Sequence, residues 1–176
     1  MRRHNLDAIR NVKLLMGSDN TIDLNRNRGS QNQYNDVLVT IYDACILFLE
    51  SIYHSNSYPD VKEHNLKELV DSIANRHYNL RSECKDYERL YHIYELVYGN
   101  YKYASFDDVK YAVNTLNAVM HFYMGECKVS DLEFACRYYD IPYDENKLVD
   151  PIYYRRYLCE LLGIYEIKLP ELCWSV

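Results

Sequence analysis

The feature that most constrains the fold is the stretch at residues 34–54, which is apolar except for one narrow polar stripe. Its polar positions are Asp36, Thr40, Asp43, Glu50, Ser51 and His54. This spacing places them on one face of a helix. A helix that is apolar around the rest of its circumference has to be covered on several sides. At about 1.5 Å per residue the stretch would span roughly 30 Å, so it predicts the central helix of an all-α protein.

The rest of the chain is also patterned as helices. Only 5 glycines and 4 prolines interrupt the 176 residues, which favours long helices over strands and turns. Apolar residues recur at helical spacing in seven segments, and we predict no strand. The predicted helices lie at residues 6–16, 34–54, 61–74, 83–98, 106–124, 131–139 and 151–162.

Local signals predict where several of these helices begin and end. Three residue pairs have capping-box spacing at a helix start, namely Asp60 with Glu63, Ser105 with Asp108, and Ser130 with Glu133. Helix stops are predicted at Gly17, at Gly99 with Asn100, at Gly125, at Asp140 and at Gly163. Asp150 and Pro151 are predicted to open the last helix.

Short connections between residues 34 and 123 predict antiparallel neighbours. We therefore expect an antiparallel up-and-down four-helix bundle with additional N- and C-terminal helices. The chain is predicted to be a single helical domain over residues 1–176. Its bundle core would lie at about 34–125 and its C-terminal helical extension at about 130–176.

Charge and cysteine usage narrow the function classes. A net charge of −6 argues against a general phosphate-neutralising surface but allows a local basic patch. The cysteines at 45, 84, 127, 136, 159 and 173 show no metal-ligand spacing. The first residues are charged and no apolar run follows them. We expect a cytoplasmic protein with no membrane span, no metal site and no cofactor.

The best candidate ligand-binding group surrounds Lys102. Tyr101 and Tyr103 flank this lysine, and Arg89 and His92 lie on the preceding predicted helix. Aromatic faces stack on bases, and a nearby cation can meet phosphate. Tyrosines at helix ends also pack at the rim of a bundle, so packing is the alternative interpretation. No catalytic residue is predicted.

A second basic pair, Arg155 with Arg156, lies beside several tyrosines near the end of the chain. It could meet an anionic partner. The simpler interpretation places both arginines on the surface of the last turn of a helix.

The order and spacing of the helices at residues 34–123 resemble the HEPN family of small helical domains. The resemblance starts with the apolar helix at 37–53 and continues with Val-Lys-Glu-His-Asn-Leu-Lys-Glu-Leu at 61–69. A helix at 91–98 that ends before an aromatic and basic link, and a closing helix at 112–122, complete it. The resemblance implies a four-helix bundle that dimerises and is linked to nucleotide and RNA chemistry.

The sequence departs from the family at its ribonuclease motif, an arginine followed by histidine after four to six residues. The corresponding positions 98–105 read Tyr-Gly-Asn-Tyr-Lys-Tyr-Ala-Ser. The resemblance therefore implies a non-catalytic binding or regulatory module, homodimeric and a partner of a nucleotidyltransferase, a nucleotide or RNA. The alternatives are a HEPN-type ribonuclease with a degenerate site and a helical protein–protein adaptor with a groove for a partner helix.

Overall fold

The structure is a computed structural model, and it describes residues 3–17, 20–24, 33–55, 65–150 and 153–170. Within these ranges the protein is all-α, with eight α-helices, a 3₁₀ turn at Glu145–Leu148 and no strand. The helices are α1 (Arg3–Lys13), α2 (Gln33–Ser55), α3 (Leu66–Ala74), α4 (Leu80–Glu83), α5 (Tyr87–Tyr98), α6 (Phe106–Glu126), α7 (Val129–Tyr138) and α8 (Tyr154–Leu161). The predicted all-α class is confirmed.

Helix α2 is central, as its sequence predicts. It contacts α1, α3, α5 and, most extensively, α6. Its fully buried residues include Leu38, Ile41, Cys45, Phe48 and Leu49. Each buried side chain of this size contributes roughly 1.5–3 kcal/mol of transfer free energy. In the polar stripe Asp36 and Asp43 are exposed, whereas Ser51 is buried. The side chain of His54 lies outside the described residues.

Several predicted helix starts differ in the structure. Helix α1 begins at Arg3 rather than at Leu6, and α8 begins at Tyr154 rather than at residue 151. Helix α3 begins at Leu66 rather than at residue 61, because the Asn65 side chain accepts the backbone N–H of Glu68 at 2.9 Å. The predicted cap at residues 60–63 lies outside the described residues. In place of the predicted helix at 83–98 the structure has two helices. Residues 80–83 form α4, in which Leu80 is fully buried, and α5 begins at Tyr87. Helix α7 begins at Val129 and not at Asp131.

The predicted stops at Gly99 with Asn100, at Asp140 and at Gly163 are confirmed, whereas α1 ends at Lys13, before Gly17, and α6 continues through Gly125 to Glu126. Helices α5, α7 and α8 are followed by residues of positive φ, which are Asn100 (63°), Asp140 (51°) and Gly163 (79°). After each of them, the next backbone N–H donates to a carbonyl five residues earlier, as Tyr101 does to Leu96 at 2.8 Å. This is the Schellman motif, which satisfies carbonyls that a helix end would leave without donors.

The segment after α8 packs against the beginning of the chain. The backbone N–H of Ile22 donates to Lys168 at 2.9 Å, and the N–H of Lys168 donates to Asn20 at 2.9 Å. The Asn117 side chain on α6 exchanges two further hydrogen bonds with the backbone of Ile167, both 2.9 Å long. Ile22 and Ile167 are both buried in the hydrophobic core. In the described ranges, none of the helices is both long enough and apolar enough to cross a membrane.

Candidate functional site

The connection between α5 and α6 is held by a dense set of hydrogen bonds. The predicted capping box is confirmed: Ser105 Oγ accepts the N–H of Asp108 at 3.2 Å, and Asp108 Oδ2 accepts the N–H of Ser105 at 2.9 Å. The N–H of Ala104 donates to the Asn35 side chain of α2 at 2.7 Å. Hydrogen bonds therefore fix the connection to α2 and to the first turn of α6.

Lys102 belongs to this network. Its Nζ lies 2.9 Å from Asp108 Oδ2, with side-chain exposures of 35% and 8% for the lysine and the aspartate. Burial opposes ionisation of Asp108, but the hydrogen bonds from Lys102 and Ser105 outweigh it and lower the pKa of the carboxyl. An ammonium has three N–H donors, so Lys102 keeps donors beyond the one that it gives to Asp108.

Exposed tyrosines lie near this lysine in the sequence. Tyr98, Tyr101 and Tyr103 are 69%, 83% and 63% exposed. The ring of Tyr98 is also the outer member of a stack that we call the tyrosine ladder, formed by Tyr42, Tyr94 and Tyr98. The Tyr42 and Tyr94 centroids lie 3.6 Å apart with 4° between planes, and those of Tyr94 and Tyr98 lie 5.4 Å apart with 21°. The ladder therefore runs from the core to the surface.

The inner end of the tyrosine ladder is anchored by a hydrogen bond. The Tyr42 hydroxyl accepts the backbone N–H of Leu66, the first residue of α3, at 3.1 Å. Burial raises the pKa of Tyr42, and it also raises that of Tyr94. Both phenols therefore stay protonated at neutral pH.

The other two predicted site residues lie on α5. The Arg89 guanidinium lies over the Tyr111 ring of α6, 4.2 Å from its centroid. Tyr111 follows Asp108 by three positions on α6, so Arg89 and Lys102 are held at the same face of that helix. His92 is exposed, and its ring lies 5.5 Å from the ring of its neighbour Tyr91. The structure thus places both cations against side chains of α6, whereas the described ring contact of His92 is within α5.

A second candidate site, which the sequence does not predict, is a groove between α6 and α8. Its volume is about 530 Å³. The residues that line it are His121, Met124, Gly125, Arg155, Arg156, Glu160, Ile164, Tyr165 and Glu166. Periodicity within one helix could not find this groove, because its walls come from α6, α8 and the segment after α8.

Arg155 and Arg156 lie in the first turn of α8, so the predicted position in a last turn is wrong. Arg156 pairs with Glu160 at 3.1 Å. Arg155 Nη1 donates to the carbonyl of Gly125 at 3.0 Å. The Nε of Arg155 is buried and has no hydrogen-bond acceptor among the described residues.

A pair of thiols lies close to Arg155. Cys127, directly after α6, donates its Sγ–H to the Met124 carbonyl at 3.6 Å. The neighbouring Cys159 thiol of α8 and the Arg155 charge lower the pKa of Cys127 against the effect of burial. The neighbouring Cys127 thiol and burial raise the pKa of Cys159. Among the described residues, His, Cys, Asp and Glu form no group of three that could hold a metal ion.

The described part of the chain is thus all-α. It carries an exposed tyrosine surface, formed by Tyr98, Tyr101 and Tyr103, and a separate groove that contains Arg155 and Arg156. No protein-family model matches the sequence, and no curated protein and no solved structure is significantly similar to it.

Proposed function

We propose that the protein is a non-catalytic, HEPN-like helical binding module of the cytoplasm, which binds nucleotides or single-stranded RNA at the connection between α5 and α6. The observation that carries this proposal is the exposure of Tyr98, Tyr101 and Tyr103, at 63–83%, beside Lys102. Tyr98 also stacks on Tyr94, whereas Tyr101 and Tyr103 keep most of their surface in water, which packing against the core does not explain.

The chemistry of the surface fits a base attached to a phosphate. Stacking of a base on an exposed aromatic ring is worth about 1–3 kcal/mol. The hydrogen bonds of Ser105, Asp108 and Ala104 hold the connection in one conformation, so little ordering entropy would be lost on binding. Lys102 and Arg89 would meet the phosphate, which keeps the interaction local on a chain of net charge −6.

The proposal extends to architecture and partners. Helix α2 contacts α3, α5 and α6, while α5 contacts both α3 and α6. We propose that these four helices form the antiparallel up-and-down bundle of the HEPN family, and that two copies associate along it. The resemblance adds a nucleotidyltransferase as a protein partner. Light scattering of the purified 21.1 kDa chain tests the dimer, and a mass of one chain at micromolar concentration would contradict it.

The binding proposal is tested by titrating nucleoside phosphates and short labelled oligoribonucleotides into the protein, followed by calorimetry and fluorescence anisotropy. Replacing Tyr101 by Ala should weaken binding about 10–100-fold, since each lost stacking contact costs about 1–3 kcal/mol. Tyr78→Ala is the matched control, because Tyr78 is 82% exposed and lies between α3 and α4. Equal affinity of both variants, or no binding by the wild-type protein, would refute the proposal.

The same samples distinguish the alternatives. RNA cleavage that is lost in a His92→Ala variant would support a ribonuclease with a degenerate site. A protein that binds amphipathic helical peptides but none of the nucleotides would support the adaptor.

A further inference from the structure

We propose that the groove between α6 and α8 binds a small monoanionic carboxylate with an apolar body, and that Arg155 holds the carboxylate. This site is separate from the tyrosine surface proposed above. It therefore stands or falls independently of nucleotide binding.

The size and walls of the groove fit a small organic ligand. A volume of about 530 Å³ is within the range of small-molecule sites. A second space of about 190 Å³ adjoins it, lined by Met120, Met124 and Tyr165 among others. Ile164 completes an apolar wall on the main groove. This wall would cover an aliphatic or aromatic body and remove it from water.

Arg155 provides a specific anchor for an anion. Its Nη1 is fixed to the Gly125 carbonyl at 3.0 Å, which holds the guanidinium against the end of α6. Its buried Nε has no acceptor among the described residues. The guanidinium has five N–H donors, and the contact with Gly125 uses only one of them. A carboxylate in the groove can accept charge-assisted hydrogen bonds from the donors of Arg155 that face it.

The charges around the groove favour a monoanion over a phosphate. Glu160 already neutralises Arg156 across 3.1 Å, and Glu166 adds a further negative charge to the lining. Arg155 is then the arginine of the lining that Glu160 does not pair with, and its single charge cannot offset the two charges of a dianion. A single carboxylate matches the one guanidinium.

The test is calorimetric titration of octanoate into the wild-type protein, with octanol, octylamine and octyl phosphate as comparison probes. We expect octanoate to bind at least tenfold more tightly than each of the other three. Replacing Arg155 by Met should weaken octanoate binding at least tenfold. Arg137→Met is the control, because Arg137 is exposed on α7 and pairs with Glu133 at 3.6 Å.

A second variant covers the case in which Arg155→Met does not fold. A Cβ at Gly125 would meet no atom within 4 Å, and Gly125 lines the groove. Gly125→Leu should therefore fold normally and fill part of the groove, so that octanoate binding is lost while the melting temperature without ligand is retained. Undetectable octanoate binding to the wild type, equal binding of octanol or octyl phosphate, or unchanged binding in a folded Gly125→Leu protein would each overturn the proposal.

Discussion

The role of Asp108 leads to a prediction that separates its charge from its shape. Asp108 Oδ2 accepts hydrogen bonds from both Ser105 N–H and Lys102 Nζ, each 2.9 Å long. Asparagine at this position keeps an oxygen for the Ser105 N–H but loses the charge that attracts Lys102. Asp108→Asn therefore removes the ion pair and leaves the capping geometry in place.

The magnitude follows from the burial of the pair. Exposed ion pairs contribute about 0–1 kcal/mol, whereas hydrogen bonds to charged groups contribute about 1.5–3 kcal/mol. The Asp108 side chain is 8% exposed and that of Lys102 is 35% exposed, so we expect a loss of about 1–2 kcal/mol. For a chain of this length, 1 kcal/mol corresponds to about 2–4 °C. The melting temperature should fall by about 2–8 °C.

The pH dependence checks the cause. The folded pKa of Asp108 is lowered relative to the unfolded value of about 3.9, so its stabilising contribution is complete above the unfolded pKa. The contribution is lost as the pH falls through the folded pKa. The difference in unfolding free energy between wild type and Asp108→Asn should thus be constant between pH 7 and 5 and shrink at lower pH.

The assay is urea denaturation followed by far-ultraviolet circular dichroism at pH 7, 5 and 3. Asp107→Asn is the control, because Asp107 is exposed in the same first turn of α6. It should change the unfolding free energy by less than about 0.5 kcal/mol. An Asp108→Asn protein as stable as wild type at pH 7, or a deficit that persists undiminished at pH 3, would refute the reasoning.

Three further predictions concern packing, backbone and thiol chemistry. Phe48 is fully buried, so Phe48→Ala should lower the unfolding free energy in urea by about 3–5 kcal/mol. The same change at the exposed Phe134 should lower it by less than about 0.5 kcal/mol. Similar losses in the two variants would contradict the central position of α2. Gly163→Ala should lower the unfolding free energy by about 1–2 kcal/mol, because φ is +79° there; an unchanged stability would contradict this. Iodoacetamide should label Cys127 before Cys45 in the native protein. Cys127 is 9% exposed and its pKa is lowered, whereas Cys45 is 0% exposed and burial raises its pKa. Peptide mass spectrometry measures both rates, and equal labelling would argue against the difference in thiolate character.

The sequence predicted most of the helices because their signals are local. The polar stripe of α2, the Ser105 capping box and the helix stops at Asn100 and Gly163 each act within a few residues. The first residue of a helix is harder to predict where two neighbouring residues could each cap the helix. In α7, the half-buried Val129 packs on the core. The helix therefore begins two residues earlier than the Ser130 cap alone predicts.

The candidate sites were only partly predictable for the opposite reason. The exposed tyrosines beside Lys102 are adjacent in sequence, so their pattern was visible. The pairing of Lys102 with Asp108 depends on how the connection folds back onto α6, which spacing alone does not give. The groove at Arg155 combines segments far apart in the chain. The sequence also does not show which of the two adjacent arginines, Arg155 or Arg156, forms an ion pair with a carboxylate.

The hydrogen bonds between Ile22 and Lys168 also bear on how the chain is made. The buried Ile22 and its neighbours cannot complete their backbone pairing until Lys168 has left the ribosome. At roughly 5–20 residues per second, translation from one to the other takes on the order of 10–30 s. During that interval α2 can collapse onto α6 while Ile22 still lacks its hydrogen bond to Lys168, so this fold closes only after Lys168 has emerged.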